Sequence, residues 1–355
     1  MNLLINSPVL LSFINLSGAI DSIADGWTDI LNSCIDLITQ MWKATTNNGL
    51  TGKAFLSYLN IDSTNVVYST MLTYSKNIYD VIAIFGWGLM LTYWMAGIID
   101  KLSKDRLSIN TLMKAFIELI VASGIIIHGF ILFQAIANTG TWAANKISNV
   151  SITEVSGEDT APYNAFFVLG TGKMANSIEK TNGPITAESL KSVVKTDYKD
   201  VCTNMGKSSD FSDQMAGFAY AMLGAMSFLI ECVLAVIIAA LYFLINRIVF
   251  IYAITIAISR AVQFCIYTCM APIGMAQWFN RGGLLDSSGM TYIRKVAAVI
   301  IQGPILMLIV KIKLSLAVGV GQSEVGALIL LIALEFVSFA LINKSQQFAN
   351  DVVGT

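Results

Sequence analysis

The amino-acid sequence predicts an all-α fold: a polytopic helical membrane protein with about five transmembrane helices and one re-entrant or in-plane helical segment. Of its 355 residues, 55% are hydrophobic and only 13% are charged, whereas soluble domains average about 25% charged residues. Several apolar stretches also reach the roughly 20 residues that a helix needs to cross a hydrocarbon core about 30 Å thick. Low charge and long apolar stretches together assign most of the chain to a lipid bilayer.

Charge and residue usage argue against several functional classes. The 22 Lys and Arg residues balance the 23 Asp and Glu residues, so the composition offers no broad basic surface for binding nucleic acid. The chain has one histidine, His128, and its five cysteines lack the close pairing of a zinc site. Because general bases and metal ligands are most often histidines, we expect no enzyme activity, no metal and no cofactor.

Residues 1–80 are predicted to form an extracytoplasmic, amphipathic helical region. Apolar side chains recur there at steps of three and four residues, as in a helix that buries one stripe against a partner helix. The members of this partner-contact stripe are Ile20, Ile23, Trp27, Ile30, Cys34, Leu37 and Met41. A helix on the membrane surface is the alternative, although such helices favour Lys and Arg on their polar face and Lys43 is the only base near the stripe. The partner is either residues 138–214 of the same chain or another chain.

Residues 81–136 are predicted to form the first pair of transmembrane helices, with spans over 81–99 and about 115–136. Four basic residues lie in or beside the connection between them: Lys101, Lys104, Arg106 and Lys114. The positive-inside rule assigns this connection to the cytoplasm. We therefore expect a multi-pass protein of the cytoplasmic membrane whose N-terminus is extracytoplasmic.

Residues 137–215 are predicted to form an extracytoplasmic polar loop domain. Seven lysines and nine acidic residues lie between positions 138 and 214, and long loops are translocated largely regardless of their charge. Cys34 and Cys202 fall on the same predicted side of the membrane, and their spacing leaves open whether they form a disulfide.

Residues 216–343 are predicted to form a C-terminal membrane bundle. The nearly uninterrupted apolar stretch 216–278 suggests a long tilted helix over 216–245, followed by a re-entrant or in-plane hairpin over 248–278. An irregular membrane segment is expected in this hairpin at Ala271, Pro272, Ile273 and Gly274. Non-helical backbone is tolerated at membrane depth only where protein or water covers it, so this segment should pack against other helices.

Two further spans, over about 296–318 and 325–342, complete the predicted bundle. Five full crossings then place the short tail 344–355 in the cytoplasm, on the same side as Arg294 and Lys295. Six crossings, with both halves of 216–278 spanning the membrane, are the alternative and would place the tail outside.

Ionisable residues inside the predicted spans are functional candidates, because each costs about 2.5–3.5 kcal/mol to insert and needs a partner or water. The candidates are Glu118, Glu231, Arg247, Arg260 and Glu335. Three interpretations stay open: buried ion pairs that fix helix packing, an aqueous path through the bundle, or misplaced span boundaries.

The second half of the chain contains several short sequence motifs in a characteristic order. Ser259-Arg260 is followed by the string 263–267 and by Ala271-Pro272-Ile273, and Gln302-Gly303 opens the next span. In this order the chain resembles the TrbL-like polytopic subunits of conjugative type IV secretion systems, in the form carried by Gram-positive conjugative elements. The chain departs from the family pattern at Ser259, Gln263 and Gly274, where that family usually has glycine, glutamate and a second proline.

The resemblance implies a non-enzymatic structural or channel subunit of a conjugation machine. Such a subunit would assemble with itself and with other secretion subunits, including ATPases, in the lipid bilayer. It would help form or gate the path for DNA and protein, with transient contact to the transferred DNA. The competing class is a secondary transporter that binds a small substrate at a broken helix.

Overall fold

The computed structural model of the chain describes residues 16–46, 53–61, 66–103, 108–150, 166–167, 186–277, 288–321 and 327–354. Nearly all of these residues are helical, and the described ranges contain no β-strand, which confirms the predicted all-α class. The first 15 residues, residues 151–165 and 168–185 of the predicted loop domain, and the predicted turn around Arg281 lie outside the described residues.

The helices follow one another along the chain in a simple order. They are α1 (Leu16–Thr46), α2 (Lys53–Leu59), α3 (Val66–Ser103), α4 (Ile109–Ser148), α5 (Ala187–Val193), a π-helical turn (Val194–Lys199), α6 (Asp200–Gly206), α7 (Phe211–Ala276), α8 (Ser288–Gly321) and α9 (Ala327–Val353).

Five of the described helices, α3, α4, α7, α8 and α9, are long and apolar enough to cross a membrane. Their lengths range from 27 residues in α9 to 66 residues in α7, above the roughly 20 that one crossing needs. The chain is therefore a multi-pass helical membrane protein. Helix α9 continues to Val353, so most of the predicted polar tail is helical.

The predicted re-entrant hairpin over 248–278 is wrong for the described part of this range, since residues 211–276 form one continuous helix. The physical reason is the absence of a helix breaker, because no glycine or proline occurs between Gly224 and Pro272. At about 1.5 Å per residue, 66 residues rise about 100 Å along the helix axis, roughly three times the hydrocarbon core. One perpendicular crossing therefore uses only part of α7.

The chain divides into two compact units, and the first contains residues 1–47, 153–248 and 314–335. In this unit α1 packs on α5, the π-helical turn and α6. Its core includes Leu31, Ile35 and Tyr198, all fully buried. The Tyr198 hydroxyl donates a hydrogen bond of 2.7 Å to the carbonyl oxygen of Ala221 in α7, so α7 shares this core.

Two ion pairs join α1 to the segment containing α5 and α6. The Lys191 ammonium lies 2.6 Å from the Asp36 carboxylate, and that of Lys199 lies 2.7 Å from Asp25. These pairs are half-exposed, so each contributes little to stability. The contact nevertheless holds α1 and the segment 187–206 together within this unit.

The second unit contains residues 48–152, 249–313 and 336–355. Its helices α3 and α4 pair antiparallel through hydrogen bonds spaced along their length. The Tyr79 hydroxyl donates to the Ile126 carbonyl at 2.6 Å, and Trp94 Nε1 donates to the Ala115 carbonyl at 3.0 Å. The Tyr79 ring passes over α4 at Gly129, where a Cβ atom would lie 3.5 Å from the ring carbon Cζ and closer still to the hydroxyl oxygen. Glycine at this position therefore allows the close approach.

Candidate functional site

Arg260 lies at the centre of the candidate site in the second unit, where its side chain is only 3% exposed. Its guanidinium donates through Nη2 to the Leu59 carbonyl and through Nη1 to the Ile300 carbonyl, the latter at 3.3 Å. Both hydrogen-bond acceptors of Arg260 are thus backbone oxygens rather than carboxylates. Arg260 joins α2, α7 and α8 at one point.

Each of these two carbonyls lacks a helical partner for a specific structural reason. Leu59 is the last residue of α2, and the final carbonyls of a helix have no intrahelical donor. Ile300 precedes Pro304 by four residues, and proline has no N–H to complete the bond that α8 would otherwise form there. Arg260 therefore satisfies two buried acceptors that the backbone leaves open, at the negative end of α2.

Gly303 provides the space in which the guanidinium lies. A Cβ atom on Gly303 would lie 2.7 Å from Cζ of Arg260 and closer still to Nη1. Any larger residue would have to displace the arginine, because the surrounding side chains are buried. Among the described residues, Nε of Arg260 is buried and has no hydrogen-bond partner.

Arg247 has a similar arrangement in the first unit. Its Nη2 atom donates a hydrogen bond of 2.8 Å to the Ala44 carbonyl, two residues before the end of α1. Its Cζ atom lies 4.6 Å from the centroid of the Phe243 ring, within cation–π range. Both arginines of α7 thus bind a carbonyl at the C-terminal end of an earlier helix, α1 for Arg247 and α2 for Arg260.

Glu335 forms the second fully buried polar centre, again within the first unit. It accepts a hydrogen bond of 2.9 Å from Nδ2 of Asn246 and another from the Tyr242 hydroxyl. Both donors are nearly fully buried on α7, so the carboxylate of α9 holds α7 and α9 together. The other two candidates, Glu118 and Glu231, are only half-buried.

The four residues predicted to be irregular, Ala271, Pro272, Ile273 and Gly274, lie in the last turns of α7 and are helical. The irregular conformation is therefore wrong: the helix continues through Pro272, which removes only the one backbone bond to the Thr268 carbonyl. A Cβ atom placed on Gly86 of α3 would lie 2.6 Å from Cβ of Pro272, and one on Gly274 would lie 2.6 Å from the ring of Tyr292. This end of α7 packs closely against α3 and α8.

The buried stripe of α1 differs from the predicted partner-contact stripe. Its members are Ile20, Ala24, Thr28, Leu31, Ile35, Ile38 and Trp42. Apart from Ile20, the predicted stripe lies one residue earlier: Ile30 and Leu37 are 47% and 43% exposed, and Ile23, Trp27, Cys34 and Met41 are half-buried. The two stripes are adjacent because apolar residues occupy consecutive positions, so periodicity alone could not choose between them.

Cys34 and Cys202 are both free thiols in the first unit. Burial raises the pKa of Cys202 to about 11 and also raises that of Cys34. The hydrogen bond to Asp25 raises the pKa of Lys199. In each case the folded state holds the proton more tightly than the unfolded state.

We expect the contact of α1 with α5–α6 to weaken between about pH 9 and pH 11. A group whose pKa is raised by folding stabilises the fold fully below its unfolded pKa, here 9.0 for Cys202, and loses this contribution as the pH rises. Thermal unfolding of the full chain in detergent would measure the effect. Cys202→Ala should flatten the decline above pH 9, and an identical pH profile in that variant would contradict the assignment to this thiol.

Comparisons of the chain with protein-family models, with curated proteins and with solved structures found no match. Within the described ranges, no group of three or more His, Cys, Asp or Glu side chains is arranged to hold a metal ion. The candidate site is thus defined by its geometry: buried polar side chains that satisfy backbone acceptors and join helices.

Proposed function

We propose that this chain is a membrane-embedded structural or channel subunit of a conjugative type IV secretion system, with the TrbL-like subunits as its relatives. The supporting observation is that two of the sequence motifs behind the resemblance contact each other in the fold. Arg260 and Gly303 lie 43 residues apart in sequence and pack directly on one another. This contact explains why the two motifs occur in one chain, because both form the same helix-packing centre.

The buried polar residues favour a role in assembly over the binding of a small substrate. Arg247 and Arg260 bond to backbone carbonyls, and Glu335 accepts hydrogen bonds from side chains of α7. These bonds fix helices against one another, as in a packing centre. The secondary transporter is not proposed further, because the broken helix that favoured it is continuous over 248–276.

In this proposal the N-terminal region is extracytoplasmic and the protein lies in the cytoplasmic membrane. The basic connection between α3 and α4 supports this orientation through the positive-inside rule. Helices α1, α5 and α6 then present one packed layer outside the cytoplasm, where further copies of the chain and other secretion subunits would bind. ATPases would bind from the cytoplasmic side.

A mating assay tests the proposal directly. Deleting the coding sequence from a donor cell should reduce transfer of its conjugative element at least a thousand-fold, and the wild-type chain supplied separately should restore it. Co-purification of the secretion ATPases with the tagged full-length chain from cross-linked membranes should accompany transfer. Unchanged transfer in the deletion strain would contradict the proposal.

The half-exposed stripe of α1 is expected to mediate self-association. From Ile23 to Met41 its apolar residues repeat at steps of four and three, the seven-residue period of a coiled-coil seam. Replacing Ile30 and Leu37 with lysine should reduce cross-linked oligomers at least ten-fold while leaving the fold intact, because both side chains are already exposed. Cross-linking in native membranes followed by gel analysis would measure this.

Ser33 and Gln40 provide the matched control, since both are exposed on the same helix but lie off the stripe. Lysine at these two positions should leave oligomers unchanged. Equal loss in both pairs would indicate a general effect of positive charge, and no loss in either would remove the stripe as an interface.

A further inference from the structure

A cavity of about 380 Å³ opens between α7, α8 and α9 in the second unit. Its volume falls within the range of about 300–1,000 Å³ that is typical of small-molecule sites. Its lining residues are Gln263, Tyr267, Lys295, Val299, Gln346 and Asn350. Five of these six residues are polar, although the three helices that carry them are membrane helices.

The cavity lies near the ends of these helices. Lys295 follows the first residue of α8, Ser288, by seven positions, and Asn350 precedes the last residue of α9, Val353, by three. At about 1.5 Å per residue these positions are about 10 Å and 5 Å from the helix ends. The cavity therefore lies near the ends of α8 and α9, and a membrane-spanning helix reaches the headgroup region at its ends.

The charge of the cavity favours an anion. Lys295 is exposed and supplies an ammonium group, while no carboxylate occurs among the described residues that line the cavity. The Gln263 amide and the Tyr267 hydroxyl provide further neutral hydrogen-bond donors. Basic pockets between transmembrane helices are typical sites for anionic lipid headgroups.

Gln346 indicates a second property of the ligand, besides its negative charge. Its Nε2 atom donates a hydrogen bond of 3.2 Å to Oδ1 of Asn350, so its amide is held by α9 itself. Its Oε1 atom is buried and accepts no hydrogen bond from the described residues. Because an unsatisfied buried acceptor is unfavourable, a ligand that suits the cavity carries a hydroxyl donor as well as a negative charge.

Apolar side chains lie next to the polar cavity along the same helices. Ile266 and Met270, on the same face of α7 as Gln263 and Tyr267, are 56% and 44% exposed. Acyl chains would cover these side chains, so the surface suits a ligand with a polar head and an apolar tail.

We propose that this cavity binds the phosphoglycerol headgroup of an anionic membrane lipid. The phosphate pairs with the Lys295 ammonium, and a glycerol hydroxyl donates to Oε1 of Gln346. The acyl chains lie along Ile266 and Met270. The site depends only on the membrane location of the chain and would exist whether or not the protein takes part in secretion.

Native mass spectrometry of the full chain in detergent tests this proposal. Phosphatidylglycerol should be retained at least five-fold better than phosphatidylcholine with the same acyl chains. Lys295→Gln should reduce this preference about five-fold, as expected for one basic residue near the membrane surface. Lys344→Gln is the matched control, because Lys344 is exposed on α9 but does not line the cavity, and it should leave binding unchanged.

Two further binding experiments identify the class of ligand. Inorganic phosphate at about 10 mM, where electrostatic screening is weak, should leave the lipid bound. Full displacement of the lipid would mean that free phosphate is the ligand and would overturn the lipid assignment. Gln346→Leu should lower binding of phosphatidylglycerol to the level of phosphatidic acid, which lacks the glycerol hydroxyls. Equal retention by wild type and Lys295→Gln, or no preference over phosphatidylcholine, would overturn the site itself.

Discussion

Replacing Arg260 with leucine is expected to lower the free energy of unfolding by about 3 kcal/mol. The Leu59 and Ile300 carbonyls would lose their donor inside the bundle, at a cost of about 1–3 kcal/mol for each buried acceptor left unsatisfied. Removing a buried charge offsets part of this loss. Thermal unfolding in detergent, followed by tryptophan fluorescence, would measure the change, and assembly and transfer should fall with it.

A second substitution separates this explanation from a general disruption of the core. Pro304→Ala returns an N–H to α8 at the position from which it can bond to the Ile300 carbonyl. In the Arg260→Leu background this change should recover about 1 kcal/mol more than it does in the wild type. Full stability, assembly and transfer in Arg260→Leu alone would show that the arginine is dispensable.

Replacing Gly303 with alanine is expected to lower the free energy of unfolding by about 2–3 kcal/mol. Its Cβ atom would overlap the Arg260 guanidinium, and overfilling a packed core typically costs about 1–3 kcal/mol. Displacing the guanidinium would also weaken its bonds to Leu59 and Ile300. The same unfolding measurement applies, and Gly303→Val should be at least as severe.

The sign of this effect should reverse when the arginine is absent. In the Arg260→Leu background, alanine at 303 has no guanidinium to displace, and alanine favours a helix over glycine by about 1 kcal/mol. Gly303→Ala should then be neutral or stabilising. A loss of the same size in both backgrounds would mean that Gly303 is required for another contact.

The sequence was sufficient to predict the fold class and the membrane helices, because low charge and long apolar stretches leave few alternatives to a helical bundle. The expected spans over 81–99, 115–136 and 296–318 fall within described helices, and the described part of 325–342 lies in α9. The structure of region 216–278 was harder to predict, since the region is longer than one membrane crossing and this length suggested an interrupted helix. Its residues contain no helix breaker before Pro272, and local helix propensity therefore prevails over the expected hairpin.

The partners of the buried charges could not be predicted from residue types alone. Ion pairs were one of three open interpretations for Arg247 and Arg260, and both in fact bond to backbone carbonyls that no side-chain pattern reveals. One signal was available: Pro304 implies that the carbonyl four residues earlier, at Ile300, lacks its helical donor. The C-terminal ends of α1 and α2 give the same kind of signal only once helix boundaries are known.

The Arg260 contacts also bear on how the protein enters the membrane during synthesis. Leu59 is made 201 residues before Arg260, whereas Ile300 is made 40 residues after it, a delay of about 2–8 seconds at the usual rate of translation. During that interval the arginine has only one of its two acceptors and adds about 2.5–3.5 kcal/mol to the cost of inserting α7. The C-terminal half of α7 should therefore become stably inserted only when α8 emerges, so that these two helices enter the bilayer as a pair.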